Sequence, residues 1–267
     1  MRIEARFGAA LLASAALLPP DALPADAVPV RFTEGVAHGF LTLSTLDGKA
    51  LADGDLIQTA RGDRVTTRVV LQFRDGSIQD ETVVYSQRDS LRLLRDHLVQ
   101  RGPSFPRAMD VLVDAERGEV RVRYVDDGKE KVVSDRPELP PDLANGMLLA
   151  LLKNIQPEAA RTTVSLVAAT PRPRLVKLIV APAGEDAFWI GASRRKATHY
   201  VVKMEIGGIA GLLAPLLGKQ PPDSHVWILA GDVPTFVKSE GPMYEGGPPW
   251  RLELTSPVWP SVAPGKR

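Results

Sequence analysis

Turn dipeptides punctuate the stretch from His38 to Ser134 at short intervals: Asp47-Gly48, Asp53-Gly54, Gly62-Asp63, Asp75-Gly76, Arg117-Gly118 and Asp127-Gly128. Asp-Gly supplies the positive φ that a tight hairpin needs, so each pair marks a place for the chain to reverse. Between them the side chains alternate. Val65, Val69, Leu71 and Phe73 fall on one side, and Arg64, Arg68, Gln72 and Arg74 on the other. Val120, Val122 and Tyr124 alternate with Glu119, Arg121 and Arg123 in the same way. A period of two with one polar side describes a sheet with one wet face, and hairpin spacing makes it antiparallel. This part of the chain reads as a meander.

The pattern breaks at Pro137, Pro140 and Pro141. Asp142 follows, then Leu143 to Ile155 (LANGMLLALLKNI), then Pro157. Pro and Asp before and Pro after bracket a helix. Its stripe is Leu143, Met147, Leu148, Leu151, Leu152 and Ile155, widened by Ala144, Leu149 and Ala150. A helix this apolar is buried on most sides. Each large side chain contributes about 1.5–3 kcal/mol on burial, against a cost of roughly 1 kcal/mol for Gly146. Packing rather than propensity would make this helix. Strands are expected again at Thr162 to Ala169, Arg174 to Val180, Phe188 to Gly191, Thr198 to Ile206, Val226 to Leu229 and Trp250 to Leu254. Ile209 to Leu217 (IAGLLAPLL) is a second apolar piece, read as a short broken helix or a buried loop. The economical way to bury such a helix with a long antiparallel sheet is a half-barrel. The fold class expected is mainly β (α+β), a curved antiparallel sheet wrapped around an apolar central helix.

This order of elements, from about Phe40 to Leu254, resembles the bacterial lipoprotein-carrier half-barrels (the LolA and LolB type) and exported bacterial proteins of the same build. The texts GKQPPD (Gly218 to Asp223) and EGPMYEGGPPW (Glu240 to Trp250) are also similar to secreted proteins of soil bacteria. No established functional residues come with either resemblance. In the carriers a concave apolar surface holds acyl chains, which implies an apolar ligand here.

Composition narrows the function classes. The 267 residues hold 33 Lys+Arg against 32 Asp+Glu, with 44% hydrophobic residues, four His and no Cys. Near-balanced charge argues against a globally basic nucleic-acid binder and against a disordered acidic chain. The lack of Cys removes disulfides, thiolate catalysis, cysteine-ligated zinc and an N-terminal lipidated Cys. Met1 to Arg6 is basic on balance, Phe7 to Leu18 is apolar, and Ala25-Asp26-Ala27 has the small-residue form of a cleavage site. That is the order of a secretory signal peptide cut after Ala27. The alternative, an uncleaved anchor, fits the flanks less well, and a dozen apolar residues fall short of the ~20 that span a bilayer. Three parts are expected: a signal peptide (1–27), a single β-rich domain (28–256) and a flexible C-terminal tail (257–267). The expected location is the periplasm or the medium.

Catalytic motifs are incomplete. Gly218-Lys219-Gln220 lacks the Ser/Thr of a phosphate loop, and Gly207-Gly208 with Gly211 does not spell a dinucleotide fingerprint. Gly102-Pro103-Ser104 and Gly191-Ala192-Ser193 lack the closing Gly of a nucleophile elbow. Ser193-Arg194-Arg195-Lys196 fits S-x-x-K without the companion motifs of penicillin-binding enzymes. His38, His97, His199 and His225 are nowhere four apart; metal binding by His with Asp80 or Glu81 is the weaker alternative to solvated histidines. Arg61-Gly62-Asp63 reads as a hairpin turn. No catalytic set, metal site or cofactor is assigned.

Arg161 to Ile206 carries eight basic residues against Glu185, Asp186 and Glu205. If Pro182 to Asp186 turns a hairpin, Arg172 and Arg174 share one sheet end with Arg194, Arg195 and Lys196. These five would dock an anionic head group, or simply form a solvated rim. All four Trp fall in the C-terminal third; they line a cleft or close the core. The leading expectation is non-catalytic binding or transport of a lipid-like ligand, with Met147, Leu148, Leu151, Leu152 and Trp227 at the site and Leu212, Leu213, Leu216 and Leu217 contributing apolar surface. A membrane surface or an envelope protein is a further expected partner. The alternatives are an envelope or secreted hydrolase and an interaction module contacting through Gly241 to Trp250.

Overall fold

The computed structural model describes residues 27–190, 192–205 and 221–255. Most of the expected signal peptide (1–27), the apolar piece at Ile209 to Leu217 and the expected tail from Pro257 lie outside them. The described residues build one 14-stranded antiparallel sheet in two meanders. The first is β1 (Ala37–Thr45), β2 (Ala50–Arg61), β3 (Arg64–Phe73), β4 (Ile78–Gln87), β5 (Leu91–Arg101), β6 (Met109–Asp114), β7 (Glu119–Asp126) and β8 (Lys129–Asp135). A connection containing α1 (Leu148–Asn154) leads to the second: β9 (Thr162–Ala168), β10 (Arg174–Ile190), β11 (Ser193–Glu205), β12 (Ser224–Leu229), β13 (Thr235–Pro242) and β14 (Pro249–Thr255). β14 pairs with β1, so the order runs from β8 inward to β1, then from β14 out to β9.

The turn dipeptides largely fold as expected. Asp127 and Gly128 both take positive φ (49° and 71°) between β7 and β8, the pairing a two-residue hairpin turn demands. Gly62-Asp63 turns β2 into β3, with Arg61 opposite Arg64. Asp53-Gly54 is the exception, since it lies inside β2. A Cβ on Gly54 would sit 2.1 Å from the Val70 carbonyl oxygen. The glycine there serves close strand approach, not reversal.

Two expectations about element boundaries are corrected. The helix expected over Leu143 to Ile155 is a helix only from Leu148 to Asn154. Upstream, Leu143 forms a bridge to Ser165 of β9. The Asn145 side chain bonds both backbone groups of Val167, each at 2.9 Å, and Gly146 takes φ +62°. Backbone bonds to an edge strand and a positive-φ glycine outcompete the helical turn. Asp142 does not cap the helix; its carboxylate accepts from Ser165 Oγ at 2.8 Å. Nor does Pro182 to Asp186 turn a hairpin. It is a register shift within a strand that runs on to Ile190. β13, which sequence reading passed over, follows Phe236-Val237 with Lys238, Ser239 and Glu240.

The core lies on the inner face of the sheet. Leu41, Leu43, Val65, Leu71, Val113 and Val122 there cluster with Leu143, Met147, Leu151 and Leu152. Residues of the connection touch strands far apart in the sheet order. A Cβ on Gly146 would meet Val83 of β4 and Asp96 of β5. The Tyr200 hydroxyl of β11 donates to the Ile155 carbonyl at 3.3 Å. No helix among the described residues is long and apolar enough to cross a membrane.

Candidate functional site: a cleft beside the helix

A cleft of about 260 Å³ opens between α1 and the inner face. Met147, Leu149 and Ala150 line it from the helix side; Leu56, Val69, Phe236 and Leu254 line it from β2, β3, β13 and β14. Strand alternation places the last group inward, on the same faces as the buried core residues. The volume falls just below the range typical of small-molecule sites, roughly 300–1,000 Å³.

Polar groups interrupt the apolar lining. Gln58, Thr67 and Tyr85 project from β2, β3 and β4. Thr67 Oγ1 donates to Gln58 Oε1 at 3.0 Å, and Gln58 Nε2 donates to Glu34 Oε2 at 2.9 Å. The Tyr85 hydroxyl has no hydrogen-bond partner, although the residue is 1% exposed. Burial, then the Glu34 charge, push its ionisation well above the usual range. It is a neutral hydroxyl, and the nearby Thr67 hydroxyl, which pulls its ionisation the other way, does not offset that rise. At the rim, Lys153 Nζ lies 2.9 Å from Glu34 Oε1, both side chains largely buried. The pair neutralises the only helix charge facing the cleft.

Beneath the Gly146 turn sits a second polar feature. Asp96 of β5 lies opposite Val83 of β4, and Glu81, two residues before Val83, shares that face. Neither forms an ion pair among the described residues, and Asp96 Oδ1 has no hydrogen-bond partner. Burial raises Glu81 to about 7. Burial, then the charge of Glu81, raise Asp96 well above the carboxylate range. Two carboxyls desolvated together favour the protonated form.

The residues expected at the site divide. Met147 lines the cleft. Leu148 packs against the core, while Leu151 and Leu152 are buried in it, 2% and 1% exposed. Trp227 is not in the cleft. Its indole stacks on His199 at 4.4 Å, carries Lys238 Nζ 3.8 Å from its centroid, and donates to Asp186 at 2.7 Å. Leu212, Leu213, Leu216 and Leu217 lie outside the described residues. The five basic residues do not share one end, which corrects that expectation. Arg174 pairs near the start of β10 with Ala168, whereas Arg194, Arg195 and Lys196 pair with Trp189, Phe188 and Ala187 at its far end. The unturned Pro182 to Asp186 segment separates the groups. Arg172 stays with Arg174, just ahead of the strand. Sequence reading missed Tyr85, Gln58 and Thr67. Thr67 stands in the same alternating register as Val65 and Val69, a polar residue on an inward position, and that was the available signal.

The histidines are paired with other groups. His38 reaches Asp55 at 2.9 Å and His97 reaches Asp110 at 3.1 Å. His199 and His225 meet at 2.9 Å. Asp80 faces outward in a two-point contact with Arg68, on the side opposite Glu81. No serine hydroxyl is hydrogen-bonded to a histidine among the described residues, nor is there a group of three or more His, Asp or Glu that could hold a metal ion. Lys196 of the S-x-x-K text bonds Glu185 rather than Ser193. In the Gly241 to Trp250 loop, Tyr244 packs against Phe105 and Trp250, and the Met243 carbonyl accepts from Gln100. Its aromatic groups turn inward. Comparison with protein-family models, with curated proteins and with solved structures found no match for this chain.

Proposed function

We propose that this chain is exported after cleavage behind Ala27 and binds an apolar or amphiphilic small molecule, without transforming it, in the cleft beside α1. The observation that carries the reading is the Tyr85 hydroxyl: buried, neutral and unpartnered in an apolar-lined cleft. An unmet buried donor costs about 1–3 kcal/mol. A ligand with a chain for Leu56, Val69, Leu149 and Phe236 and one oxygen for Tyr85 removes that cost.

The sheet is inferred to curl around the Leu143 to Ile155 segment, as a half-barrel would. What supports this is the reach of the connection. β5 and β9 stand ten places apart in the strand order, about 48 Å in a flat sheet at ~4.8 Å per strand. Yet Leu143 bridges β9 and Gly146 lies against β5. Three residues span at most about 10 Å. A bent sheet would bring those strands within that reach, and its concave face would hold the cleft.

Titration with a dansyl-labelled fatty acid tests the reading. Wild-type chain should bind it saturably, and Tyr85→Phe should weaken binding by about fivefold, the worth of one hydrogen bond. Val69→Trp, which fills the cleft, should abolish it. No saturable binding, or binding unchanged in Val69→Trp, contradicts the proposal.

A further inference from the structure

The far end of β10 and the start of β11 stand clear of the rest of the sheet. β9 accompanies β10 only from Arg174 to Val180, and β12 accompanies β11 only from Ala197 to Val202. Past those limits the two strands pair with each other alone, from Ala187 opposite Lys196 to Ile190 opposite Ser193. These four rungs extend about 13 Å at ~3.3 Å per residue. A two-stranded ribbon without a third strand or a packed face is marginal in water. This one also exposes an aromatic side chain. Trp189 is 65% exposed, whereas Trp227 and Trp250 are each 7% exposed.

Charge at the tip has one sign. Arg194, Arg195 and Lys196 occupy the outer rungs, and no acidic residue does. Lys196 reaches back to Glu185 at 2.9 Å; Arg194 and Arg195 form no ion pair among the described residues. Directly opposed residues share a face, so Trp189 and Arg194 lie on one face of the ribbon, Phe188 and Arg195 on the other. Both faces therefore carry an aromatic ring beside a guanidinium. Such a ribbon is suited to entering an interface end-on rather than lying flat. Its base is held, since Asp186 accepts from the Trp227 indole at 2.7 Å.

We infer that the β10–β11 ribbon is a membrane-docking finger, which places Trp189 and Phe188 at the head-group level of an anionic lipid bilayer while Arg194, Arg195 and Lys196 meet its lipid charges. Tryptophan favours that depth because its ring is apolar and its N–H is wet. Long basic side chains reach the phosphates from just above it. The inference is independent of the cleft and survives or fails without it.

Flotation of the purified full chain with large unilamellar vesicles tests it, using phosphatidylcholine alone or with one third phosphatidylglycerol. The chain should float with the anionic vesicles at low salt, lose them at high salt, and ignore neutral ones. The triple variant Arg194→Ala, Arg195→Ala, Lys196→Ala should bind about a hundredfold more weakly, since each basic residue near such a surface contributes roughly one factor of five. Trp189→Ala should weaken binding about tenfold. Leu175→Ala, exposed at the opposite end of β10, should bind as wild type and controls for unspecific surface effects. Failure of the wild type to float, equal flotation with neutral vesicles, or full binding by either tip variant overturns the inference. Self-association through the ribbon in place of lipid binding, seen as a Trp189-dependent dimer in sedimentation, overturns it as well.

Discussion

The side chains that set this molecule apart are the polar ones on its inward face. Glu81 and Asp96 share a desolvated site, neither with an ion pair among the described residues, and the fold favours their protonated forms. Linkage gives the sign. Both pKa values are raised above those of the unfolded chain, so the stabilisation is complete below the ordinary carboxylate range and is lost as pH rises through the folded values. For Glu81 the window runs from about 4.5 to about 7, corresponding to about 3 kcal/mol. Thermal unfolding of wild type should therefore lose stability relative to Glu81→Gln between mildly acidic and neutral pH. The two curves should run parallel below that window. A difference that does not change with pH would remove the carboxyl pair from the account. Strand alternation alone puts neighbours such as Asp80 and Glu81 on opposite faces. That Glu81 would be the inward one next to Asp96 depends on pairing across β4 and β5, which no single strand encodes.

At the scale of elements, the connection between β8 and β9 acts as two devices. Its second half is the short helix that walls the cleft. Its first half lies along β9 and supplies the edge strand with partners: Ala144 N–H donates to the Ser165 carbonyl at 2.8 Å, and Ser165 N–H donates to the Asp142 carbonyl at 3.1 Å. Covering an edge in this way removes a template for unwanted pairing. β8, the opposite edge, is guarded instead by Lys129, Glu130, Lys131 and Asp135. Asn145 holds the first half in place. Asn145→Ala should destabilise the protein by about 2–4 kcal/mol, because it strips partners from both backbone groups of Val167. Chemical denaturation reads that loss, and a change within a few tenths of a kcal/mol would show that the bridge does not hold the segment. The sequence displayed the apolar stripe from Leu143 to Ile155 and its proline brackets, but not where the helix begins. Asn145-Gly146 marked the interruption; that an edge strand would claim the preceding residues is a long-range fact.

Across the whole molecule, what local patterning controls was legible: antiparallel pairing, one wet face, most hairpin turns, and burial of the mid-chain segment. What depends on strands meeting at a distance was not. The pairing of β1 with β14 joins two meanders whose partners lie more than two hundred residues apart, and it sets Leu254 and Phe236 into the cleft with Leu56 and Val69. The same holds for the basic cluster. Its division into Arg172 and Arg174 at one end of β10 and Arg194 to Lys196 at the other follows from Pro182 to Asp186 forming a bulge where a turn was expected. Trp227 stands away from the cleft, a placement not legible because strand parity, unanchored by a neighbouring strand, does not tell one face from the other.

The central claim is that a concave apolar cleft beside α1 holds an amphiphile, and mass spectrometry of organic extracts tests it most directly. Wild-type chain, expressed from the full sequence and purified without detergent, should release a lipid-like species close to one per chain. Val69→Trp, purified in parallel, should release none. Extracts of the two proteins that are alike, with no such species in either, would contradict the account.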